Sequence, residues 1–504
     1  MLVDLDLARR VEAAARTQPQ QPFLRSPEGR VLTYGALGEQ SARYAAALEQ
    51  MGVGAGDRVA VQVEKCVEAV LLYVACLRMG AVFVPINTAN TANEVEYFLK
   101  DSRPRLAVID PDRRAVVEPL AKAAGIQCVE DLNAAGEGSL PDLVRRAQPK
   151  PRQVHEADPN ALASIIYTSG TTGRSKGAML TRANLASNAA VLAAAWHFST
   201  NDVLVHVLPL FHIHGLFVAI NTSLASASSL LFIAKFDPAT TLENLPGATV
   251  FMGVPTHYTR LLHHRALNRD STAGMRLFVS GSAPLPSETH EEFRQRTGHV
   301  ILERYGMSET LINASNPYLG ERLPGSVGPP VQGTSIRVAP DSEGEIGTLE
   351  VKGPNVFAGY WMDEAKTRSE FTADGWFKTG DLGRIDTNGY VHIVGRAKDL
   401  VISGGYNVYP KEVEAELDAV AGVLESAVFG VSHPDFGEGV TAAVVAKSGA
   451  SLSEQDILSA VQPRLARYKV PKRVLLIDEL PRNTMGKVQK NELRKRFANL
   501  YGDG

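Results

Sequence analysis

Apolar and polar positions along the first part of the chain change period several times. From Thr33, the residues Leu37, Tyr44, Leu48 and Met51 share one helical face, with Thr33 placed to cap the start and Gly52 to stop the helix. Val59, Val61 and Val63 then alternate as in a strand, Val67 to Met79 reads as an apolar helix, and AVFVPI from Ala81 reads as a buried strand. A helix near Asn93 to Lys100 leads into LAVID at Leu106. Strands alternating with crossover helices predict a parallel sheet covered on both faces. The stretch Asp131 to Asn160 is polar, carries Pro141, Pro149, Pro151 and Pro159, and reads as a connector to a second unit that opens with ASIIYTSG.

Toward the C-terminus, GEIGTLEVKG and GYVHIVGR look like β-hairpin material. Near Arg396 the texture changes: GRAKDLVISGGYNVYP sets charges and two glycines between a strand and a helix that begins after Pro410, which marks a domain hinge. Beyond it, Val413, Leu417 and Val420 form a helical face, Val423 to Val431 and Val440 to Ala446 read as strands, Ser453 with Asp456 resembles a capping box, and RVLLID is a last strand. This is a compact α+β unit of about 100 residues. No repeat of fixed period is evident.

Composition adds exclusions. The 504 residues carry 52 Lys plus Arg against 55 Asp plus Glu, a net charge of -3, so no bulk field draws the chain to nucleic acid or an anionic membrane. Three cysteines, Cys66, Cys76 and Cys128, lack CxxC spacing and argue against a disulfide scaffold or a zinc knuckle. The N-terminal MLVDLDLARRVEAAARTQ lacks a secretory pattern, and the longest uncharged run, Gly215 to Ala234, is too polar to span a bilayer. A cytoplasmic, soluble protein is expected.

The most informative segment is YTSGTTGRSKGAML, Tyr167 to Leu180. Glycines let the backbone approach a polyphosphate, hydroxyls and amides donate to its oxygens, and a lysine acts as a point charge. It is not a Walker A loop, because Arg174 and Ser175 precede Lys176 where that motif needs glycine directly before lysine. The bland reading is a flexible turn between strand and helix.

The string TSGTTGRSKG resembles the signature loop of the acyl-adenylate-forming (AMP-binding) superfamily, with Ser175 where proline is usual. Four further segments fit the same resemblance, in order and across nearly the whole chain: ERYGMSET (Glu303 to Thr310), KTGDLGRID (Lys378 to Asp386), VGRAKDLVISGG and PRNTMGKVQK. The resemblance implies a large α/β N-terminal domain of parallel sheets covered by helices plus a small β-barrel-like part, then a smaller α+β C-terminal domain. The boundaries expected are 1–395, a hinge at 396–400 centred on Lys398, and a mobile 401–504 carrying the catalytic lysine.

By the same resemblance, Thr168, Ser169, Gly170, Thr171, Thr172, Gly173, Lys176, Glu303, Tyr305, Gly306, Ser308, Asp381 and Arg396 bind ATP and then AMP. Asp381 and Arg396 meet the ribose, and a carboxylate can accept both vicinal hydroxyls. Glu309 with Thr168 holds Mg²⁺, a cation that favours hard oxygen donors. Gly404 and Gly405 line a tunnel for the thiol of CoA. Lys487, after Gly486, bridges the acid and the α-phosphate, where a cation relieves the repulsion between two anions. His212 falls where the acyl pocket meets the phosphate and is assigned a catalytic place. The reaction implied joins an acid to ATP as acyl-AMP with release of pyrophosphate, and a thiol then displaces AMP.

Arg304, directly before Tyr305, offers a planar fork of donors, and with His214 and Ser282 it forms a place for a second carboxylate. Gly306 leaves room where acetate-activating relatives have an aromatic. Malonate, with methylmalonate tolerated, is the acid expected. Two other readings stay open: a ligase for an aromatic or medium-chain acid, and a stand-alone adenylation domain serving a carrier protein. A zinc site at the His212–His214 pair lacks a matching third ligand. Acetylation of Lys487 by a lysine acetyltransferase would remove its charge and with it the adenylation step.

Overall fold

The computed structural model describes residues 6–148, 154–155, 158–168, 175–340, 345–404, 406–483 and 486–502. Its contacts divide the chain into two compact units, one built from residues 1–336 and 351–377, the other from 337–350 and 378–504.

The first unit contains two sheets. One has six strands in the order Cys128–Asp131, Leu106–Ile109, Arg58–Gln62, Val82–Pro85, Leu162–Thr168 and Lys176–Thr181. All neighbours in it are parallel except the last pair. The other has eight strands, in the order Leu311–Ser315, Leu302–Met307, Leu277–Ser280, Val250–Gly253, Val203–His206, Ser229–Phe232, Pro22–Arg25 and Val31–Thr33. Its central neighbours are parallel and its two edge pairs antiparallel.

Local chemistry accounts for many of these elements. Helix Tyr34–Gln50 begins where the Thr33 hydroxyl accepts from the Ala36 amide. Helix Val67–Met79 is buried at every residue but Glu68 and ends at Gly80, whose φ of +78° suits glycine. Strand Arg58–Gln62 is buried along its length rather than on alternate residues, because a parallel strand is covered on both faces. The segment expected as a connector follows strand Cys128–Asp131 and holds helix Ser139–Arg146, which buries Leu140, Pro141 and Val144. Its apolar face is too short to stand out among polar residues and prolines.

The second unit takes a four-stranded sheet in the order Ser335–Val338, Gly347–Lys352, Phe377–Ile385, Val391–Arg396. GYVHIVGR supplies strand Val391–Arg396, which pairs antiparallel with Phe377–Ile385 as one arm of a hairpin, and GEIGTLEVKG supplies Gly347–Lys352 on the other side of Phe377–Ile385. Among the described residues this sheet runs as a single path of four strands. It groups with the C-terminal residues, not with 1–395, because helix Pro410–Asp418 packs on strand Val391–Arg396. A second sheet pairs Gly437–Ala446 with Val401–Ser403, Val423–His433 and Arg473–Leu476. Val413, Leu417, Val428, Val444, Ile457 and Val474 form its core. The Ser453–Asp456 capping box opens helix Glu454–Val461.

Candidate active site

Thr168 ends one strand of the six-stranded sheet and Lys176 opens the next, directly across the ladder. The TSGTTGRSKG loop thus closes an antiparallel hairpin rather than a strand-to-helix turn; helix Arg182–Ala195 comes only after the second strand. Ser169, Gly170, Thr171, Thr172 and Gly173 lie outside the described residues. At the loop's exit, the Tyr97 hydroxyl donates to the Ser175 carbonyl at 2.8 Å. The Lys176 ammonium lies 5.6 Å from the centre of the Tyr360 ring, and desolvation followed by the neighbouring Lys366 cation lowers its pKa.

The carboxylate of Glu309 is buried and collects two hydroxyls on Oε1, from Tyr360 at 3.2 Å and Thr168 at 3.4 Å. A carboxylate flanked by hydroxyl oxygens fits Mg²⁺, which is held by one or two carboxylates together with substrate phosphates and water. Among the described residues, no group of three or more His, Cys, Asp or Glu side chains could hold a metal ion.

Strand Leu302–Met307 carries most of ERYGMSET and turns back antiparallel into Leu311–Ser315. Tyr305 is mostly buried, and Ser308 lies in the turn, partly exposed. A Cβ on Gly306 would sit 1.9 Å from the Leu311 carbonyl oxygen, so glycine is required there by the returning backbone. The space expected beside Gly306 for a larger acid is thus filled by the chain itself. Glu303, expected among the nucleotide contacts, is buried and accepts from the main-chain N–H groups of Gly325, at 3.0 Å, and Leu285. It braces the two loops that hold these residues. Desolvation pushes its pKa up to about 7 against those two bonds.

The three residues assigned to a second carboxylate come together. Arg304 is only 4% exposed, and its Nε and Nη2 are buried without hydrogen-bond partners among the described residues. Its guanidinium lies against Gly281, where a Cβ would meet Cζ at 2.3 Å. Burial pulls even this guanidinium's pKa down, to about 9, with the buried Tyr258 nearby. The buried His214 lies within electrostatic reach of Arg304, and its Nδ1 is 3.2 Å from the Ser282 hydroxyl. With that hydroxyl donating to Nδ1, the ring proton sits on Nε2, which is buried and unpartnered. Ser282 holds a φ of +71°, rare for a residue with a Cβ, and such strain gathers at functional sites.

His212 and His214 sit on one turn, which leads into the wide-wound helix His214–Ile220. His212 uses Nδ1 to accept from the His214 amide at 3.1 Å, which orients its ring. Sequence reasoning overlooked Tyr258 and His257, both within electrostatic reach of the pocket groups. Each lies on a helix, Pro255–Leu262, that follows a strand end, and no pattern in PTHYTRLL marks it.

In the second unit, Asp381 and Arg396 face each other across the ladder and form an ion pair of 2.5 Å. The sequence assigned both to ribose; the structure adds that they hold one another. Lys487 leaves a tight loop: its amide donates to Asn483 Oδ1 at 2.9 Å, Asn483 N donates back to its carbonyl at 3.0 Å, and Gly486 takes a φ of +73°. The Lys487 side chain reaches solvent, yet crowding protein strips water from its ammonium and pulls the pKa to about 8. Arg396 and Lys398 push in the same direction, while Asp381 and Asp399 oppose them. Lys398 is exposed in the short turn Ala397–Asp399, and desolvation lowers its pKa. Gly404 turns the hairpin Val401–Ser403 to Tyr406–Val408 with a φ of +60°; Gly405 lies outside the described residues.

The chain belongs to the AMP-binding enzyme family, which it matches over residues 11–361, with the AMP-binding enzyme C-terminal domain over 412–487. Its curated relatives include the mitochondrial malonate–CoA ligase ACSF3 of Mus musculus, 36% identical over 89% of this chain and 82% of that protein. Another is a sulfoacetate–CoA ligase of Cupriavidus necator, 35% identical over 97% of each. Among solved structures, ATP-bound MatB from Rhodopseudomonas palustris superposes with a TM-score of 0.96 at 50% identity, covering 99% of both chains.

Proposed function

We infer that the protein is an AMP-forming acid–CoA ligase, a malonyl-CoA synthetase, that uses ATP and CoA and takes malonate as its acid. The observation that carries the choice of acid is Arg304, a buried guanidinium with two unpartnered N–H-bearing nitrogens beside the free Nε2 of His214. A buried unpaired cation is costly, and a carboxylate that accepts from both side chains offsets that cost. An apolar aromatic or medium-chain acid would leave the guanidinium unsatisfied. Similarity to the malonate–CoA ligases and to MatB supports the same reading.

In this mechanism Arg304, His214 and Ser282 hold the distal carboxylate. The proximal carboxylate attacks the α-phosphorus of ATP, a P–O bond forms, and pyrophosphate leaves with its bonding electrons. Lys487 places a cation between the two anions as they approach, where it stabilises the charge that builds up. Glu309 and Thr168 would hold Mg²⁺, which would supply charge neutralisation to the polyphosphate. Asp381 accepts from the ribose with Arg396 bracing it, and Lys176 faces phosphate. The CoA sulfur then attacks the acyl carbon, AMP departs, and a thioester remains; Gly404 borders the thiol's path, and Lys398 is the pivot between the two steps.

Thioester formation across malonate, methylmalonate, sulfoacetate, butyrate and coumarate, with wild type and Arg304→Leu, tests this. Loss of about two charge-assisted hydrogen bonds is expected to raise the malonate KM by ~10²-fold. Equal use of malonate and butyrate by the wild type would refute the choice of acid. We also propose that a cytoplasmic lysine acetyltransferase silences the enzyme at the exposed Lys487. Mass-resolved acetylation at Lys487 with adenylation intact would contradict that.

A further inference from the structure

Lys65 lies just beyond strand Arg58–Gln62 of the six-stranded sheet, 8% exposed, with no carboxylate pairing it among the described residues. Its ammonium reaches the other sheet. It donates to the carbonyl of His206 at 2.8 Å and of Ile233 at 2.7 Å, and it lies 4.5 Å from the centre of the Phe232 ring. His206 and Phe232 are paired residues at the ends of two adjacent parallel strands. Desolvation lowers the lysine's pKa strongly. Either protonation state still has two N–H groups for two carbonyls, and the ammonium has a third to face the ring.

The strand end that Lys65 grips leads straight to the acid pocket. The His206 ring donates from Nε2 to the Gly215 carbonyl at 2.9 Å. Gly215 is itself wedged in place, since a Cβ there would meet the Pro209 carbonyl oxygen at 2.1 Å. One residue earlier is His214, whose ring meets Ser282 and faces Arg304. An aliphatic side chain would fill the volume of Lys65 without the desolvation cost, so the amine is kept for what it bonds.

We propose that Lys65 is a positioning residue that determines acid specificity: by tying the ends of strands Val203–His206 and Ser229–Phe232 to the six-stranded sheet, it holds the His212–Gly215 turn at the spacing from Arg304 that a short diacid requires. This rests on the diacid reading above. Removing the tie loosens one wall of the acid pocket and leaves the nucleotide residues in place.

The test is ATP–pyrophosphate exchange by wild type, Lys65→Met and Lys65→Arg, with malonate and butyrate as acids. Lys65→Met is expected to raise the malonate KM by about ten-fold or more, to lower the malonate-over-butyrate ratio of kcat/KM by a similar factor, and to leave the ATP KM within about two-fold. Lys65→Arg, which keeps the donors, restores most of the ratio. A malonate KM and an ATP KM that rise together, or an unchanged acid ratio, would overturn the inference. If Lys65→Met gives no cooperative melt, His206→Phe cuts the same relay within a full-sized core and must show the same acid-selective loss; an unchanged ratio there overturns the inference too. Wild-type preference for butyrate would remove the diacid reading and this inference with it, whereas malonate preference that survives in Lys65→Met removes this inference alone.

Discussion

At the scale of single residues, two side chains trade stability for placement. Glu303 has a folded-state pKa of about 7, raised above its unfolded value of about 4.3 by burial. Its contribution to stability is therefore fully present below the unfolded pKa and is lost as the pH rises through about 7. Glu303→Gln keeps an acceptor for the Gly325 and Leu285 amides but cannot ionise. Thermal melts are expected to show the variant more stable than wild type at pH 8, by about 4 kcal/mol at most, with little difference at pH 4. A wild type that gains stability between pH 5 and 8 relative to Glu303→Gln would contradict this. Ser282 tells a parallel story with a φ of +71°. Ser282→Gly relieves that strain, worth about 1 kcal/mol, and removes the partner of His214 Nδ1. The expected result is a higher melting midpoint joined to a higher malonate KM.

At the scale of elements, what the sequence revealed was local. The Thr33 and Ser453 caps, the Val67–Met79 helix and the Pro410 start depend on neighbours within a few residues, and each was legible in the order of side chains. Pairings between distant segments were not. Nothing in the order of residues shows that the ASIIYTSG strand closes a hairpin on KGAML, that Asp381 faces Arg396, or that Phe377–Ile385 lies between the strands of GEIGTLEVKG and GYVHIVGR. Lys65 was invisible for the same reason, since its partners lie in another sheet. The Arg304, His214 and Ser282 set was readable as chemistry, though its burial and unpartnered nitrogens required the fold. The Lys487 loop gives an element-scale test. Gly486 adopts a φ of +73°, where alanine costs about 1 kcal/mol, and Asn483 fixes the exit of the loop. Gly486→Ala is expected to shift the lysine and lower the kcat of adenylation by ~10-fold, with the malonate KM unchanged. Equal changes in both would mean that the loop also shapes the acid pocket.

At the scale of the whole molecule, the two units divide the chemistry. The first carries the acid pocket, Lys176 and Glu309; the second carries Lys487 and the Asp381–Arg396 pair. The two half-reactions then ask for opposite protonation states. On the proposed assignment, adenylation needs the Lys487 ammonium, whose pKa of about 8 means that the fraction charged falls as pH rises past that value. Thioester formation needs the thiolate of CoA, whose fraction grows over the same range, as for any thiol with a pKa near about 8.5. The kcat/KM for ATP–pyrophosphate exchange, which reports the free enzyme, should fall about ten-fold per pH unit well above 8, while thioester formation from supplied acyl-AMP should rise. Lys487→Arg keeps its charge throughout and should flatten the first profile without altering the second. If both half-reactions of the wild type fell together above pH 8, the limb would belong to a group common to both steps, and Lys487 would lose its assignment to adenylation alone.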